Sequence, residues 1–192
     1  MDKEDYDDDL RQAVKTLREG GVILYPTDTV WGIGCDATNA DAVARVYAIK
    51  RREEGKSMLV LVDSADRAAT YASGIPDVAF AMMDLATTPL TLILDGAKNL
   101  AGNLVGPDGT IGIRVTAERF SRDLCYRLGR PVVSTSANVS GRPAAAIFDD
   151  VDPEIVAAVD YAVRYRRDDR AKASPSSIVK IGADGQVKII RP

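Results

Sequence analysis

The sequence predicts an α/β fold built on a twisted open sheet of mixed parallel and antiparallel strands, flanked by helices. Short, fully apolar runs alternate along the chain with longer stretches in which apolar residues recur at helical spacing. Hairpin signals such as Asp184-Gly185 also occur, and such signals join antiparallel strands. The combination is typical of a mixed sheet rather than a purely parallel one.

The first half of the chain contains two predicted strands that are apolar throughout. Pro26 ends the first of them because it has no N–H to donate to a neighbouring strand. Asn39 is placed to cap the helix between the two strands, and that helix ends in a group of cations. The predicted strands are 22–25 and 58–62, and the predicted helices are 10–17, 40–52 and two short ones after Asp63 or Ser64 and after Pro76.

The second half alternates in the same way. Asp95-Gly96 and Pro107-Asp108-Gly109 enclose a polar loop, and Gly129 ends a helix that begins near Ala117. The predicted strands are 90–94, 111–115, 131–133, 177–181 and 187–190, with one more helix at about 155–159.

Composition excludes several kinds of site. The chain has no histidine, so Ser-His-Asp and Cys-His catalytic arrangements are excluded. Cys35 and Cys125 form no Cys-x-x-Cys pair, so we expect two buried thiols and no metal site. The acidic start differs from a signal peptide, and no apolar run approaches the roughly 20 residues that a membrane span needs. We therefore expect a cytoplasmic protein with no membrane partner.

The net charge of −3 is unevenly distributed. Residues 1–10 hold six acids and one lysine, a net of −5, which leaves +2 for the remainder. Such a run of like charge is typical of a solvated segment. The sequence therefore predicts an acidic N-terminal tail at 1–9 and a single domain at 10–192.

A polar segment follows the first predicted strand. Thr27, Asp28 and Thr29 place two hydroxyl groups and a carboxylate at its carboxyl end, where open α/β sheets bind their ligands. Gly32 and Gly34 then allow a sharp turn or a close backbone approach. Asp and Thr are also ordinary turn residues, so this segment alone does not decide between a loop and a site.

The cations at the end of the second helix admit two interpretations. Lys50, Arg51, Arg52 and Lys56 suit the negative end of the helix dipole, which is a structural role. They also lie between the first two buried strands, from which Lys50 and Arg52 could reach the same sheet edge as the threonines. Cations beside hydroxyl groups favour a phosphate-bearing ligand.

Three further features favour a ligand site. Small hydroxyl and amide residues follow an apolar strand at 134–138, where they either form an ordinary Ser/Thr-rich loop or offer donors to an anion without bulk, and their density favours a site. Arg114 is the one charge within its predicted strand, so it either faces solvent or binds a carboxylate through two hydrogen bonds. Pro175 precedes two more serines.

Neither a P-loop nor a dinucleotide-binding glycine motif occurs.

Taken together, these segments resemble the YrdC-like threonylcarbamoyl-adenylate synthases, in their short single-domain form. The resemblance covers about residues 20–191. The motifs that carry it are Tyr-Pro-Thr-Asp-Thr-Val-Trp-Gly-Ile-Gly at 25–34, Lys-Arg-Arg at 50–52, Pro-Leu-Thr at 89–91, Thr-Ile-Gly-Ile-Arg-Val at 110–115, Ser-Thr-Ser-Ala-Asn at 134–138 and Pro-Ser-Ser-Ile-Val at 175–179.

The resemblance implies a YrdC-like fold with a concave, basic surface, and an enzyme that makes threonylcarbamoyl-AMP and pyrophosphate from L-threonine, bicarbonate and ATP with Mg²⁺. Downstream transferase proteins would use this product to modify tRNA. By motif match, Thr27, Arg114, Ser134 and Ser176 would bind threonine. The predicted ATP-binding residues are Lys50, Arg52, Thr110, Ser136, Asn138 and Arg191, of which Lys50 and Arg52 would also be catalytic.

Two departures from the family pattern and two alternative functions remain. Glu53-Glu54 replaces the usual proline after Lys-x-Arg, and an arginine-rich segment at 164–172 replaces a glycine-rich one. That segment could instead bind tRNA or double-stranded RNA in a non-catalytic YrdC/YciO-like module. Carbamoyl transfer of the hydrogenase-maturation type is disfavoured, because that domain occurs within much longer chains.

Overall fold

A computed structural model describes residues 1–53 and 58–192 of the chain. It contains one nine-stranded sheet in the order β7-β1-β2-β6-β3-β5-β4-β8-β9, flanked by helices. The strands are β1 Ile23–Tyr25, β2 Gly32–Gly34, β3 Leu59–Val62, β4 Leu90–Leu94, β5 Ile111–Val115, β6 Val132–Ser136, β7 Tyr161–Ala162, β8 Ser177–Ile181 and β9 Val187–Arg191. The helices are α1 Lys3–Arg18, α2 Ala40–Lys50, α3 Ala65–Tyr71, α4 Asp77–Leu85, α5 Arg119–Leu128 and α6 Pro153–Ala158.

The sheet is mixed, as the sequence predicts. Strands β3 and β5 are parallel, as are β4 with β8 and β1 with β7. The remaining pairs are antiparallel. The predicted fold class, a mixed open sheet flanked by helices, is therefore confirmed, whereas the concave and basic character of its surface stays a prediction.

The two faces of the sheet are covered unequally. Alternate side chains such as Leu24, Val60 and Ile113 pack into a large core with α2, α3 and α4. The other face carries a smaller core in which Ile23 and Leu61 pack against α1 and α5. Because these two helices cover only one end of that face, its other end remains available for a cleft.

Local capping matches the sequence signals. The Asn39 side chain accepts a hydrogen bond from the Ala42 N–H and so begins α2. Gly129 ends α5 with a φ of 73°, a left-handed conformation that glycine adopts without strain. Cys35 and Cys125 are free, buried thiols, as predicted. No helix in the described ranges is long and apolar enough to cross a membrane.

Residues 3–9 correct the prediction of a solvated acidic tail, because they form the first part of α1 rather than a loose extension. Tyr6 is buried, and its hydroxyl donates to Asp123 at 2.8 Å. Asp9 is fully buried and accepts hydrogen bonds from the Tyr161 hydroxyl and from the backbone N–H groups of Arg164 and Tyr165. The acidic residues thus include an anchor for a distant loop, which charge counting does not detect.

Replacing Asp9 with alanine should lower the free energy of unfolding by roughly 2–4 kcal/mol, because buried donors would lose their acceptor. The Asp5→Ala variant is a suitable control, since Asp5 is an exposed acid on the same helix. Urea denaturation of both variants measures the difference. Equal stability of the two would show that the acidic segment is dispensable after all.

Two other local features escaped the sequence patterns. Residues 32–34 form a strand, β2, rather than a turn, and a Cβ added to Gly34 would lie 2.3 Å from the Val133 carbonyl oxygen. Between β8 and β9, Ile178 pairs with Arg191 but Val179 pairs with Ile189, so Ile190 forms a β-bulge in β9. The bulge shifts the alternation by one residue, and Arg191 consequently faces the same side as Ile178.

Candidate functional site

A cleft of about 910 Å³, including its open mouth, lies on the less covered face of the sheet. Strands β2, β6, β3 and β8 form its floor, and the loops after β1 and before β8 form its walls. Its lining combines polar and apolar side chains. The lining residues are Thr29, Val30, Gly32, Arg52, Met58, Leu59, Ser134, Thr135, Ser136, Ala144, Pro175, Ser176, Ile178 and Arg191.

The loop after β1 is held by its own threonines. The hydroxyl groups of Thr27 and Thr29 lie 3.0 Å apart, and the Thr27 hydroxyl also donates to the Val30 carbonyl at 2.8 Å. The Thr29 N–H donates back to the Thr27 hydroxyl at 3.0 Å. This network fixes the loop, so that Thr29 lines the cleft while Thr27 is buried behind it.

Arg114, a predicted threonine-binding residue, is buried in β5 beside the loop after β1. Its Nη2 lies 3.1 Å from Asp28 Oδ1, and the two side chains are only 4% and 10% exposed. Burial raises the pKa of Asp28, and Arg114 opposes that rise; burial likewise lowers the pKa of Arg114. Arg114 therefore does not face solvent, which the sequence left open.

Ser176 forms a second buried polar contact at the other wall. Its hydroxyl lies 2.9 Å from that of Thr91 on β4. Arg191 donates to the Ser176 carbonyl through Nε at 2.9 Å and through Nη2 at 2.6 Å. The bulge at Ile190 makes this contact available, because it turns Arg191 toward the cleft.

Lys50 is buried at the end of α2, with only 2% of its surface exposed. Its Nζ donates to the Ser136 carbonyl and, at 2.8 Å, to the Asn138 carbonyl. Burial, assisted by the charge of Arg52, lowers the pKa of Lys50 to about 8. Lys50 thus joins α2 to the segment that follows β6, and Arg52 lies on the cleft wall.

The predicted site residues at 134–138 have two different positions: some line the cleft, and one holds the turn that follows β6. Ser134 and Ser136 lie on the cleft floor, as alternation along β6 requires. The Asn138 amide donates to the carbonyls of Val139 and Arg142 at 3.0 and 2.6 Å, which closes the following turn. Its Oδ1 is buried without a hydrogen-bond partner in the described structure.

Thr110 lies in an adjoining depression rather than in the cleft itself. The two cavities share Met58, Leu59 and Ile178 in their linings. The Thr110 hydroxyl donates to Asp108 at 2.7 Å, and this hydrogen bond, together with Lys180, lowers the pKa of Asp108. A ligand that extends across the shared floor could contact both cavities.

The structure thus brings most of the predicted residues to one face of the sheet. Seven of them lie on the cleft wall or directly behind it: Thr27, Arg52, Arg114, Ser134, Ser136, Ser176 and Arg191. Lys50 and Asn138 support this wall, and Thr110 lies in the adjoining depression. Their ligand-binding roles stay predictions, and Lys56 of the basic group lies outside the described residues.

Two residues were given no specific role by the sequence reasoning. Asp28 pairs with Arg114. The sequence signal that could have indicated a role for Asp28 was its position between Thr27 and Thr29. Thr91 pairs with Ser176, and its motif, Pro-Leu-Thr, contributed to the resemblance without a role for the hydroxyl. Pairing between distant strands decides both contacts, and a sequence does not state which strands are neighbours.

The arginine-rich segment is largely engaged within the chain. Arg164 pairs with Asp8, and Arg170 pairs with Asp149. Arg166 pairs with Asp169 and donates to the Thr27 carbonyl at 3.2 Å. Arg167 lies over the Phe148 ring and donates to two backbone carbonyls. These contacts attach the segment to the body, and RNA binding through it stays a prediction.

The cleft's donors suit an anionic or zwitterionic ligand more than a resident metal ion. Hydroxyl groups and two arginines are the polar side chains of its lining, which includes no carboxylate among the described residues. The carboxylates of the adjoining depressions, Asp28 and Asp108, already have cationic partners. Within residues 1–53 and 58–192, no group of three His, Cys, Asp or Glu side chains is arranged to hold a metal ion.

Comparison with known proteins places this chain in a family. The profile of the Sua5_yciO_yrdC family, described as telomere recombination, matches residues 15–192. A curated Coxiella burnetii protein named threonylcarbamoyl-AMP synthase is 38% identical over 141 residues, which cover 73% of this chain and 76% of that protein.

Solved structures agree with this assignment. Escherichia coli YciO superposes with a TM-score of 0.82 at 26% identity, over 95% of this chain and 87% of that one. Sua5 of P. abyssi, solved with L-threonine, superposes at 0.79 and 24% identity and supports the fold alone; the match covers 89% of this chain and half of that protein. From the profile match and the identity to the Coxiella protein, we conclude that the chain belongs to the Sua5/YciO/YrdC family.

Proposed function

We propose that this protein is an L-threonylcarbamoyladenylate synthase, a nucleotidyltransferase that makes threonylcarbamoyl-AMP, pyrophosphate and water from L-threonine, bicarbonate and ATP. The observation that carries the proposal is a hydroxyl-rich cleft lined by Arg52 and Arg191, with a third guanidinium, Arg114, buried and paired with Asp28 of the loop after β1. Guanidinium groups of this kind suit the carboxylate and phosphate groups of the two substrates. The names of the curated relatives support the same reaction.

The proposed roles follow from position. Arg114 would pair with the threonine carboxylate, with Thr27, Ser134 and Ser176 around the amino acid. Lys50 and Arg52 would stabilise negative charge as it moves between the phosphates during adenylyl transfer. Thr110, Ser136, Asn138 and Arg191 complete the proposed ATP site.

Catalysis would rest on positioning and electrostatics. With no histidine in the chain, no imidazole is available as a general base. Holding carbamate and α-phosphate in contact converts a bimolecular encounter into a reaction within one complex. Binding both substrates on a fixed sheet face would supply that orientation.

Mg²⁺ enters this proposal with ATP, as part of the Mg-ATP substrate. Mg²⁺ usually binds one or two carboxylates together with substrate phosphates and water. Since the described lining of the cleft holds no carboxylate, its donor set does not fit a metal site made by the protein alone.

The proposed product is a reactive mixed anhydride, so a second protein must take it up. We propose a cytoplasmic location and a downstream transferase that passes the threonylcarbamoyl group to tRNA. Direct contact of this protein with tRNA or double-stranded RNA is a separate prediction.

Incubation of the purified protein with L-threonine, bicarbonate and Mg-ATP should yield threonylcarbamoyl-AMP, detected by mass spectrometry, with an equal amount of pyrophosphate. Isotopic bicarbonate should appear in the product, because its carbon becomes the carbamoyl carbon. Reactions without threonine are the control. ATP turnover that is independent of threonine would contradict the assignment.

A further inference from the structure

One side chain of the arginine-rich segment holds the loop after β1 from outside. Arg166 Nη1 donates to the Thr27 carbonyl at 3.2 Å, and no other donor among the described residues is bonded to this carbonyl. The Thr27 hydroxyl, by contrast, is bonded within the loop, to the Val30 carbonyl and the Thr29 N–H. Arg166 therefore supplies the contact that fixes Thr27 to another part of the chain.

The guanidinium group of Arg166 is itself held in place. Its Nε and Nη2 lie 2.9 and 2.8 Å from Asp169 Oδ2, and its Nη1 lies 3.8 Å from Glu118 Oε1. Glu118 caps the start of α5, and its side chain is only 7% exposed. One charged group thus joins the loop after β1, the start of α5 and its own segment.

The backbone at Arg166 has an unusual conformation. Its φ is 62°, a left-handed value that residues with a Cβ adopt at a cost. The two preceding residues are anchored, because the N–H groups of Arg164 and Tyr165 donate to Asp9 and the Tyr165 ring stacks on Phe120. With these neighbours fixed, the left-handed turn directs the Arg166 side chain toward the loop after β1.

The bond to the Thr27 carbonyl bears on the cleft through the peptide group that follows. A carbonyl and the N–H of the next residue belong to one planar unit, so this bond fixes the peptide group that leads into Asp28. Asp28 pairs with Arg114 at 3.1 Å, and Thr29 lines the cleft. Rotation of that peptide group would displace both residues.

We propose that Arg166 is a positioning residue for the amino-acid site: through the Thr27 carbonyl, it holds the loop after β1 in the arrangement that lines the cleft. This inference rests on the proposed function for the identity of the ligand, L-threonine. Arg166 is not part of the described lining of the cleft, so it acts on the ligand through the loop. The arginine-rich segment thereby contributes to the small-molecule site.

The test replaces Arg166 with asparagine, which tolerates a left-handed φ but is too short to reach the Thr27 carbonyl. In Arg166→Asn, calorimetry should show about 10-fold weaker binding of L-threonine, the effect of one lost hydrogen bond, with Mg-ATP affinity little changed. Amide hydrogen exchange of residues 26–31, followed by mass spectrometry, should become faster. Arg166→Lys keeps the charge and a donor, so it should restore part of both properties.

Arg167→Ala is the matched control. Arg167 attaches the same segment through the carbonyls of Ala162 and Val163 and through the Phe148 ring, but it has no contact with the loop after β1 in the described structure. This variant should keep the threonine affinity of the wild-type protein and its exchange rates at residues 26–31.

Unchanged exchange of residues 26–31 in Arg166→Asn would overturn the proposal. Equal loss of threonine affinity in Arg166→Asn and Arg167→Ala would also overturn it, because general attachment of the segment would then explain the effect. If Arg166→Asn does not fold, Arg166→Lys is compared with Arg167→Ala: faster exchange and weaker threonine binding in the Arg166 variant alone support the proposal, and equal behaviour overturns it.

Product analysis by mass spectrometry tests the synthase assignment separately. Faster exchange in Arg166→Asn, together with no threonylcarbamoyl-AMP from the wild-type protein, overturns only that assignment. Product from the wild-type protein, together with unchanged exchange in Arg166→Asn, overturns only this inference.

Discussion

The Arg114→Ala variant should bind L-threonine about 10- to 100-fold more weakly than the wild-type protein, with ATP affinity little changed. The substitution removes a charge-assisted pair worth roughly 1.5–3 kcal/mol from the amino-acid end of the cleft. Calorimetry with each ligand separately measures the two affinities. A loss of ATP affinity with threonine affinity intact would reverse our assignment of the two ends.

A matched variant separates charge from geometry at this position. Arg114→Lys keeps the positive charge but loses the planar fork that binds a carboxylate through two hydrogen bonds. Both Arg114 variants also disturb a buried ion pair, so thermal denaturation must accompany the binding data. Threonine binding should be partly retained in Arg114→Lys.

The Lys50→Met variant should lose adenylate formation while it still binds threonine. Methionine approximates the length of the lysine stem but cannot donate to the Ser136 and Asn138 carbonyls, so the segment after β6 loses its attachment to α2. Pyrophosphate release with both substrates measures the loss. Arg51→Met is the control, because Arg51 is an exposed neighbour that pairs with Glu154. Full activity in Lys50→Met would remove Lys50 from the site.

The lowered pKa of Lys50 gives this variant a pH signature. Between about pH 8 and the ordinary lysine pKa of 10.5, the unfolded chain holds more of this proton than the folded one. The contribution of Lys50 to stability therefore rises with pH in that window and is constant below it. Lys50→Met should lack this rise, whereas ATP affinity of the wild-type protein should fall as pH increases through 8.

The sequence predicted regular elements well because their signals are local. Apolar runs located β4 and β5 at their observed bounds, and Asn39 and Gly129 marked a helix start and a helix end. The error at residues 1–9 has the opposite origin. Their charge predicted exposure to solvent, but Asp9 is buried by partners more than 150 positions away in sequence.

The site was predicted by residue type and resemblance, and its internal pairing was not. The strand arginine was predicted to bind a carboxylate, a role that stays a prediction, whereas its pairing with Asp28 follows only from the position of β5 beside the loop after β1. Similarly, Lys50 was expected to reach phosphate, whereas the structure shows it bonded to two carbonyls. Such contacts depend on strand order, which local patterns do not encode.

The bulge in β9 shows that a residue can determine a site without touching it. Side chains along a strand alternate with a period of two, so one additional residue exchanges the sides on which all later residues appear. Because Ile190 is the additional residue, the Arg191 side chain lies on the face of the sheet that forms the cleft. In this strand the number of residues, as well as their chemistry, decides which side chains reach the cleft. A deletion there would therefore be more consequential than most substitutions.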